Sequence, residues 1–266
     1  MTIKPIQLWY AVVLAVMLLL QVSATEAGKG EYQVLSNAQT QRDIPIQISY
    51  PQDTSVCSSK SPCPVALLSS GYGVAYDNYT FISATLTAAG YLVVAVQHEL
   101  PGDPPLAVRG DLYAARSENW QRGANNLEFV RTKLQQHMAD YNFSGITLVG
   151  HSNGGDISAW YINSGLANVK RLITLDHRRV PLPRLETLAV LSVRGSDFPA
   201  DDGVLYTAEQ LKQFNACIVQ VAEAKHNDMT DFGPDWLKSA LAKIILAFVT
   251  PTSMRPEPGC DSYCCD

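Results

Sequence analysis

The chain has 266 residues, 47% hydrophobic and 17% charged, a balance that can bury a sizeable core and excludes a disordered polymer. The length fits one large α/β domain or two small ones. A formal net charge of −5 without a long basic run argues against nucleic acid or an anionic membrane surface as partner.

Residues 1–24 read as an export signal. Lys4 supplies positive charge, residues 6–20 form an apolar run, and Val22-Ser23-Ala24 offers small side chains for cleavage after Ala24, with Ala27 as second choice. The rival reading is an uncleaved anchor, but the run is short of the about 20 residues that cross a bilayer. No second long apolar run follows, so no stable membrane span is expected after cleavage. The expected product is exported, secreted or periplasmic, with one domain over residues 25–250 and a cysteine-containing tail over 251–266.

Residues 31–50 read as two strands, the second alternating with period 2 and marked as an edge strand by Pro45. Continuous apolar runs follow at 64–68, 91–96, 145–149, 172–175, 188–193 and 218–221. Such runs suit strands buried on both faces of a parallel sheet. Helical patterns lie between them. Residues 79–89 end at Gly90, a C-terminal cap. A second helix starts at Ser117 and puts Trp120, Leu127, Val130, Leu134 and Met138 on one face. Further helices are expected at 153–162, 207–214 and 235–248. Strands alternating with helices give an α/β fold with a mostly parallel central sheet and helices on both faces.

The six cysteines fit an oxidising compartment. Cys57 and Cys63 flank Ser58-Ser59-Lys60-Ser61-Pro62, a spacing that can close a small disulfide. Cys217 opens a strand, and Cys260, Cys264 and Cys265 crowd the tail; their connectivity is open. A metal site in the tail is disfavoured because no histidine lies near it. Asn78-Tyr79-Thr80 and Asn142-Phe143-Ser144 are glycosylation sequons, which count only in a eukaryotic exported protein.

The chemistry centres on Gly150-His151-Ser152-Asn153-Gly154, a G-x-S-x-G pattern between an apolar strand and a helical stretch. Strand, sharp turn and helix are what lift a nucleophilic serine clear of a sheet, so Ser152 is the candidate nucleophile. Of the five histidines, His226 lies past the last strand and before the final helix, where a loop can carry a base over the strand ends. His137 reads as a surface residue, His151 as a packing or hydrogen-bonding group in the turn, and His98 and His177 as residues able to line a pocket. Asp197, the first acid past the strand at 188–193, is the expected partner of His226; Asp176, ending the strand at 172–175, is the rival. Asp228 and Asp231 read as loop-fixing groups. An oxyanion needs two backbone N–H donors: Asn153, after the serine, and Tyr72, in the glycine loop after the strand at 64–68. No metal or organic cofactor is called for.

With "GHSNGG", "SVRGSDFPAD", "HNDMTD" and "SSGYGVAYDNYTFISATLTAAGYLVVAVQHELPGD" in hand, the chain resembles the α/β-hydrolase superfamily of serine esterases and lipases. The last of these stretches looks like a segment of compact bacterial hydrolases similar to dienelactone hydrolases, cutinase-like esterases and platelet-activating-factor acetylhydrolases. The resemblance covers nearly the whole mature chain and makes 25–250 a catalytic domain. It implies acyl transfer through Ser152, His226 and Asp197, on a small-molecule, lipid or polymer ester. Ser70-Gly71 stands where many members carry His-Gly, which puts the geometry of the Tyr72 donor in question. Residues 177–187 are too few for the lid such proteins often insert there, so an open cleft is expected, rimmed by residues 98–116. Arg178 and Arg179 read as a solvated pair or as a contact for an anionic substrate. The alternatives are an exported hydrolase of amide or peptide bonds and an inactive binding protein of the same fold.

Overall fold

The computed structural model describes residues 30–166 and 169–250. The expected export signal and the cysteines of the tail lie outside the described residues. Among the described residues eight strands form one sheet: β1 Glu31–Asn37, β2 Arg42–Ser49, β3 Cys63–Ser69, β4 Leu92–Val96, β5 Tyr141–His151, β6 Val169–Leu175, β7 Ala189–Arg194 and β8 Ala216–Gln220. Their order across the sheet is β1-β2-β4-β3-β5-β6-β7-β8. The pairs β1–β2 and β2–β4 are antiparallel, and all the others are parallel. The helices are α1 Thr80–Ala88, α2 Leu112–Gln135, α3 Asn153–Asn163, α4 Ala208–Gln213 and α5 Asp235–Val249.

Each central strand is apolar on both faces because helices cover both. Along β5, Ile146 and Leu148 join the cluster formed with Trp120, Leu127 and Val130 of α2 and Ile157 and Tyr161 of α3. Val149 points the other way, towards Ile82 and Leu86 of α1 and Leu237, Leu241 and Ile245 of α5. The alternation is the period-2 geometry of a strand, and each such side chain contributes roughly 1.5–3 kcal/mol by burial. Cys57 and Cys63 are joined in a disulfide that closes the loop before β3.

Two expectations shift. Pro45 does not mark an edge: β2 lies between β1 and β4, and β1 is the outer strand. The β2–β4 ladder ends at the pair Ile46–Val96, so the missing N–H of Pro45 falls at the ladder's end, where its carbonyl still accepts from the Gln97 amide at 3.0 Å. The second helix starts at Leu112, not at Ser117. Asp111 caps it by accepting from the amides of Tyr113 and Ala114, and Ser117 turns its hydroxyl back to the Ala114 carbonyl. Met138 falls beyond the end of that helix and still packs on the core.

Candidate active site

Ser152 occupies the turn between β5 and α3 with φ 51° and ψ −121°. A non-glycine residue avoids this conformation unless its surroundings impose it. Here the Ser152 amide donates to the Leu175 carbonyl at 2.8 Å, and its own carbonyl accepts from the amides of Gly155 and Asp156. The flanking glycines make the turn possible. A Cβ on Gly150 would stand 2.3 Å from the Gly154 carbonyl oxygen, and one on Gly154 would stand 2.2 Å from the Ser69 carbonyl oxygen.

His226 begins a short 3-10 turn after β8 and is buried. Its Nε2 lies 2.9 Å from Ser152 Oγ. Its Nδ1 lies 2.7 Å from Oδ2 of Asp176, and this is a correction to the expected partner, Asp197. Asp197 instead accepts the backbone N–H of His226 at 2.8 Å and so holds the loop, not the ring. The reason is strand order. β6 is the immediate neighbour of β5, and the register sets Leu175 beside His151, so Asp176 leaves the sheet alongside Ser152. Residue 197 comes off β7, one strand farther out.

Asp176 is fully buried, and its other oxygen accepts the Gly195 amide at 2.9 Å and faces Arg194 at 3.1 Å. Burial pushes its carboxyl up. The hydrogen bond from His226, the Gly195 amide and the Arg194 guanidinium outweigh that and hold it below the usual carboxylate range. Asp176 is therefore a carboxylate, able to accept Nδ1–H and leave Nε2 free to take a proton from Ser152. The Phe198 ring stacks on His226 with centroids 4.0 Å apart, and the Arg178 guanidinium lies over Phe198, 4.1 Å from its ring centroid.

Asn153 opens α3, so its amide is among the helix N–H groups that have no partner within the helix. Tyr72 stands in the turn after β3, and among the described residues no hydrogen bond engages its amide. The Tyr72 phenol accepts from the Leu106 amide at 3.1 Å, which ties this turn to the long loop after β4. The neighbouring Gly71 amide is already committed to the Tyr79 phenol at 2.9 Å.

Several residues near the serine carried no such role in the sequence. The Asn153 side chain is a hub: Oδ1 accepts from Trp120 Nε1 at 3.0 Å, and Nδ2 donates to Asn119 at 2.8 Å and to Glu99 at 3.3 Å. Burial pushes the Glu99 carboxyl up, against the pull of these amides. Only the helical spacing of Trp120 hinted that this part of α2 faces inward. His98 and His177 are buried rather than pocket-lining; His98 Nε2 meets Ser69 Oγ at 2.9 Å. His137 is exposed, as expected. Arg178 and Arg179 share Asp201 as a partly exposed ion-pair partner, and Asp156 accepts both their amides. Asp231 fixes its loop by accepting the amides of Thr80 and Phe81. Among the described residues no group of three or more His, Cys, Asp or Glu could hold a metal ion, and no helix is long and apolar enough to cross a membrane.

No protein-family model matches the chain, and no curated protein matches it by sequence. Solved structures do match in shape. Esterase 2 of Thermogutta terrifontis, phosphonylated by cyclosarin, aligns with a TM-score of 0.60 at 14% identity, covering 85% of this chain and 97% of that one. The same esterase with butyrate bound aligns with a TM-score of 0.59 at 12% identity, covering 82% and 91%. A ferulic acid esterase from Streptomyces cinnamoneus aligns with a TM-score of 0.58 at 18% identity, covering 89% and 96%. The strand order and these matches agree on the α/β-hydrolase fold, with no large cap over the strand ends among the described residues.

Proposed function

We propose that the protein is an exported serine hydrolase that cleaves carboxylic esters through Ser152, His226 and Asp176. The observation that carries the reading is the unbroken chain from Ser152 Oγ to His226 Nε2 at 2.9 Å and from His226 Nδ1 to Asp176 Oδ2 at 2.7 Å. In the acylation step His226 takes the hydroxyl proton as Ser152 Oγ attacks the ester carbonyl carbon. Asp176 holds the imidazole in the tautomer that leaves Nε2 bare, then stabilises the imidazolium. The amides of Tyr72 and Asn153 receive the negative charge that develops on the carbonyl oxygen. His226 returns the proton to the departing alcohol. Water, deprotonated by the same histidine, then attacks the acyl-enzyme and frees Ser152. Ester rather than amide cleavage is favoured by the esterases whose shape the chain shares. Export is supported by the Cys57–Cys63 disulfide together with the signal-like residues 1–24.

The test is a panel of p-nitrophenyl esters of rising chain length, set against aminoacyl amides. Ester turnover that disappears in Ser152→Ala, together with fluorophosphonate labelling lost in the same variant, is the expected result. Folded wild-type protein that neither labels nor turns over any ester refutes the reading; turnover of amides alone refutes its substrate class.

A further inference from the structure

A buried hydrogen-bond relay runs behind the candidate site and uses two side chains that the chemistry above does not. The Gly71 amide donates to Tyr79 Oη at 2.9 Å. Tyr79 Oη lies 2.8 Å from His151 Nδ1, and His151 Nε2 lies 3.0 Å from the main-chain carbonyl oxygen of His226. Tyr79 and His151 are both buried. Proton bookkeeping allows one arrangement. The His226 carbonyl can only accept, so His151 Nε2 must carry a hydrogen and donate it. In the neutral ring Nδ1 is then bare and accepts the phenol hydrogen of Tyr79, whose oxygen accepts the Gly71 amide.

We propose that Tyr79 and His151 are positioning residues that lock the turn carrying the Tyr72 amide to the loop carrying His226. The proposal rests on the reading of Ser152 and His226 as nucleophile and base. The two segments to be aligned come from distant parts of the chain, after β3 and after β8. The relay joins them through His151, the residue next to the nucleophile, so all three parts of the site share one rigid connection. The bond to Tyr79 fixes the peptide plane between residues 70 and 71, and the Gly71 carbonyl accepts the Val74 amide at 3.1 Å, which fixes the next plane, the one that carries the Tyr72 N–H. A second tie runs in parallel, for the Asp231 amide donates to the Asn78 carbonyl at 3.0 Å, one residue before Tyr79. His151 also has to stay neutral. Its ring centroid is 5.0 Å from that of His226, where a second positive charge would oppose formation of the imidazolium. Burial keeps it so, holding the His151 pKa down at about 3.

Two measurements on the full chain test this. Nitrogen-15 NMR of labelled histidine is expected to show His151 as the neutral Nε2–H tautomer, with Nδ1 accepting, unchanged from about pH 5 to 9. An Nδ1–H tautomer, or titration of His151 in that window, overturns the relay. In kinetics on p-nitrophenyl butyrate, Tyr79→Phe and His151→Leu should each lower kcat by about 10- to 100-fold, part of the ~100- to 1000-fold cost of losing an oxyanion donor. KM should stay within about twofold, and the double variant should be no worse than the poorer single one, because both cut the same chain. His151→Gln, which keeps an N–H for the His226 carbonyl, should recover part of the loss. An unchanged kcat in folded Tyr79→Phe, or losses that multiply in the double variant, overturns the positioning role. The NMR readout needs no substrate, so a wild-type protein inactive on esters would refute the functional reading while the tautomer still judges the relay.

Discussion

Two carboxylates serve His226 from opposite sides: Asp176 holds the ring and Asp197 holds the backbone amide. Their substitutions should therefore differ. Asp176→Asn puts an N–H donor where Nδ1–H needs an acceptor, turns the imidazole to the wrong tautomer, and should lower kcat by about a thousandfold or more. Asp197→Asn keeps an oxygen for the His226 amide and should stay within about tenfold of wild type, the scale of one hydrogen bond weakened rather than lost. Steady-state kinetics on one ester decide between them, and an Asp197→Asn loss equal to that of Asp176→Asn would sink the assignment. Ser152 and His226 were legible because a strand-turn-helix glycine pattern and a histidine in the last loop are local signals. The acid was not. Asp176 and Asp197 each follow a strand, and only the lateral order and register of β5 and β6 decide which carboxylate reaches the ring. The Tyr79 phenol was hidden more deeply still, at the mouth of a helix, with its partner His151 more than seventy positions away.

At the scale of elements, α1 is a helix without a cap of its own. Its N-cap residue, Tyr79, makes no side-chain cap bond; the carboxylate of Asp231, from the loop after His226, accepts the amides of Thr80 and Phe81 at 2.9 and 3.4 Å. A negative charge there also complements the helix dipole. Asp231→Ala should cost about 1–2 kcal/mol of stability, as losing a local cap does. Urea denaturation checks this, and a change below about 0.3 kcal/mol would show that water caps α1 equally well. The sequence located the parallel strands to within a few residues because burial on both faces leaves continuous apolar runs. It misplaced the start of α2, where both Ser117 and Asp111 are plausible caps by residue type and only Asp111 finds free amides. It also put β2 at the edge, since a proline says that one N–H is missing but not that it falls at the end of the neighbouring ladder.

Across the whole molecule, pH sensitivity follows from what is buried. His98, His151 and His177 are buried, and burial holds each pKa down at about 3. In the unfolded chain each returns to about 6.5. Between these values the unfolded state binds three more protons than the folded one, so stability rises with pH and is lost as pH falls below about 6.5. Two groups oppose this, for burial lifts the carboxyls of both Glu99 and Asp156. Burial lifts Asp156 to about 6 despite the amides of residues 178–180, so the folded state binds one extra proton between about pH 4 and 6. Three protons less that of Asp156 leave a net of at most about two, which Glu99 reduces further, worth up to roughly 3 kcal/mol per pH unit near pH 5. A domain stable by about 5–15 kcal/mol cannot absorb that for long, and acid unfolding should set in between about pH 4 and 5. Urea midpoints at pH 7, 6 and 5 measure the slope, and a flat profile would mean that these histidines titrate alike in both states. The relay makes His151 the sharpest of the three to test. His151→Gln cannot take up a proton, so it should flatten the profile by about one proton's worth, near 1.4 kcal/mol per pH unit. A His98→Gln control should flatten it equally, yet it should leave kcat nearer wild type than His151→Gln does, because His98 bonds Ser69 rather than the loop that carries His226.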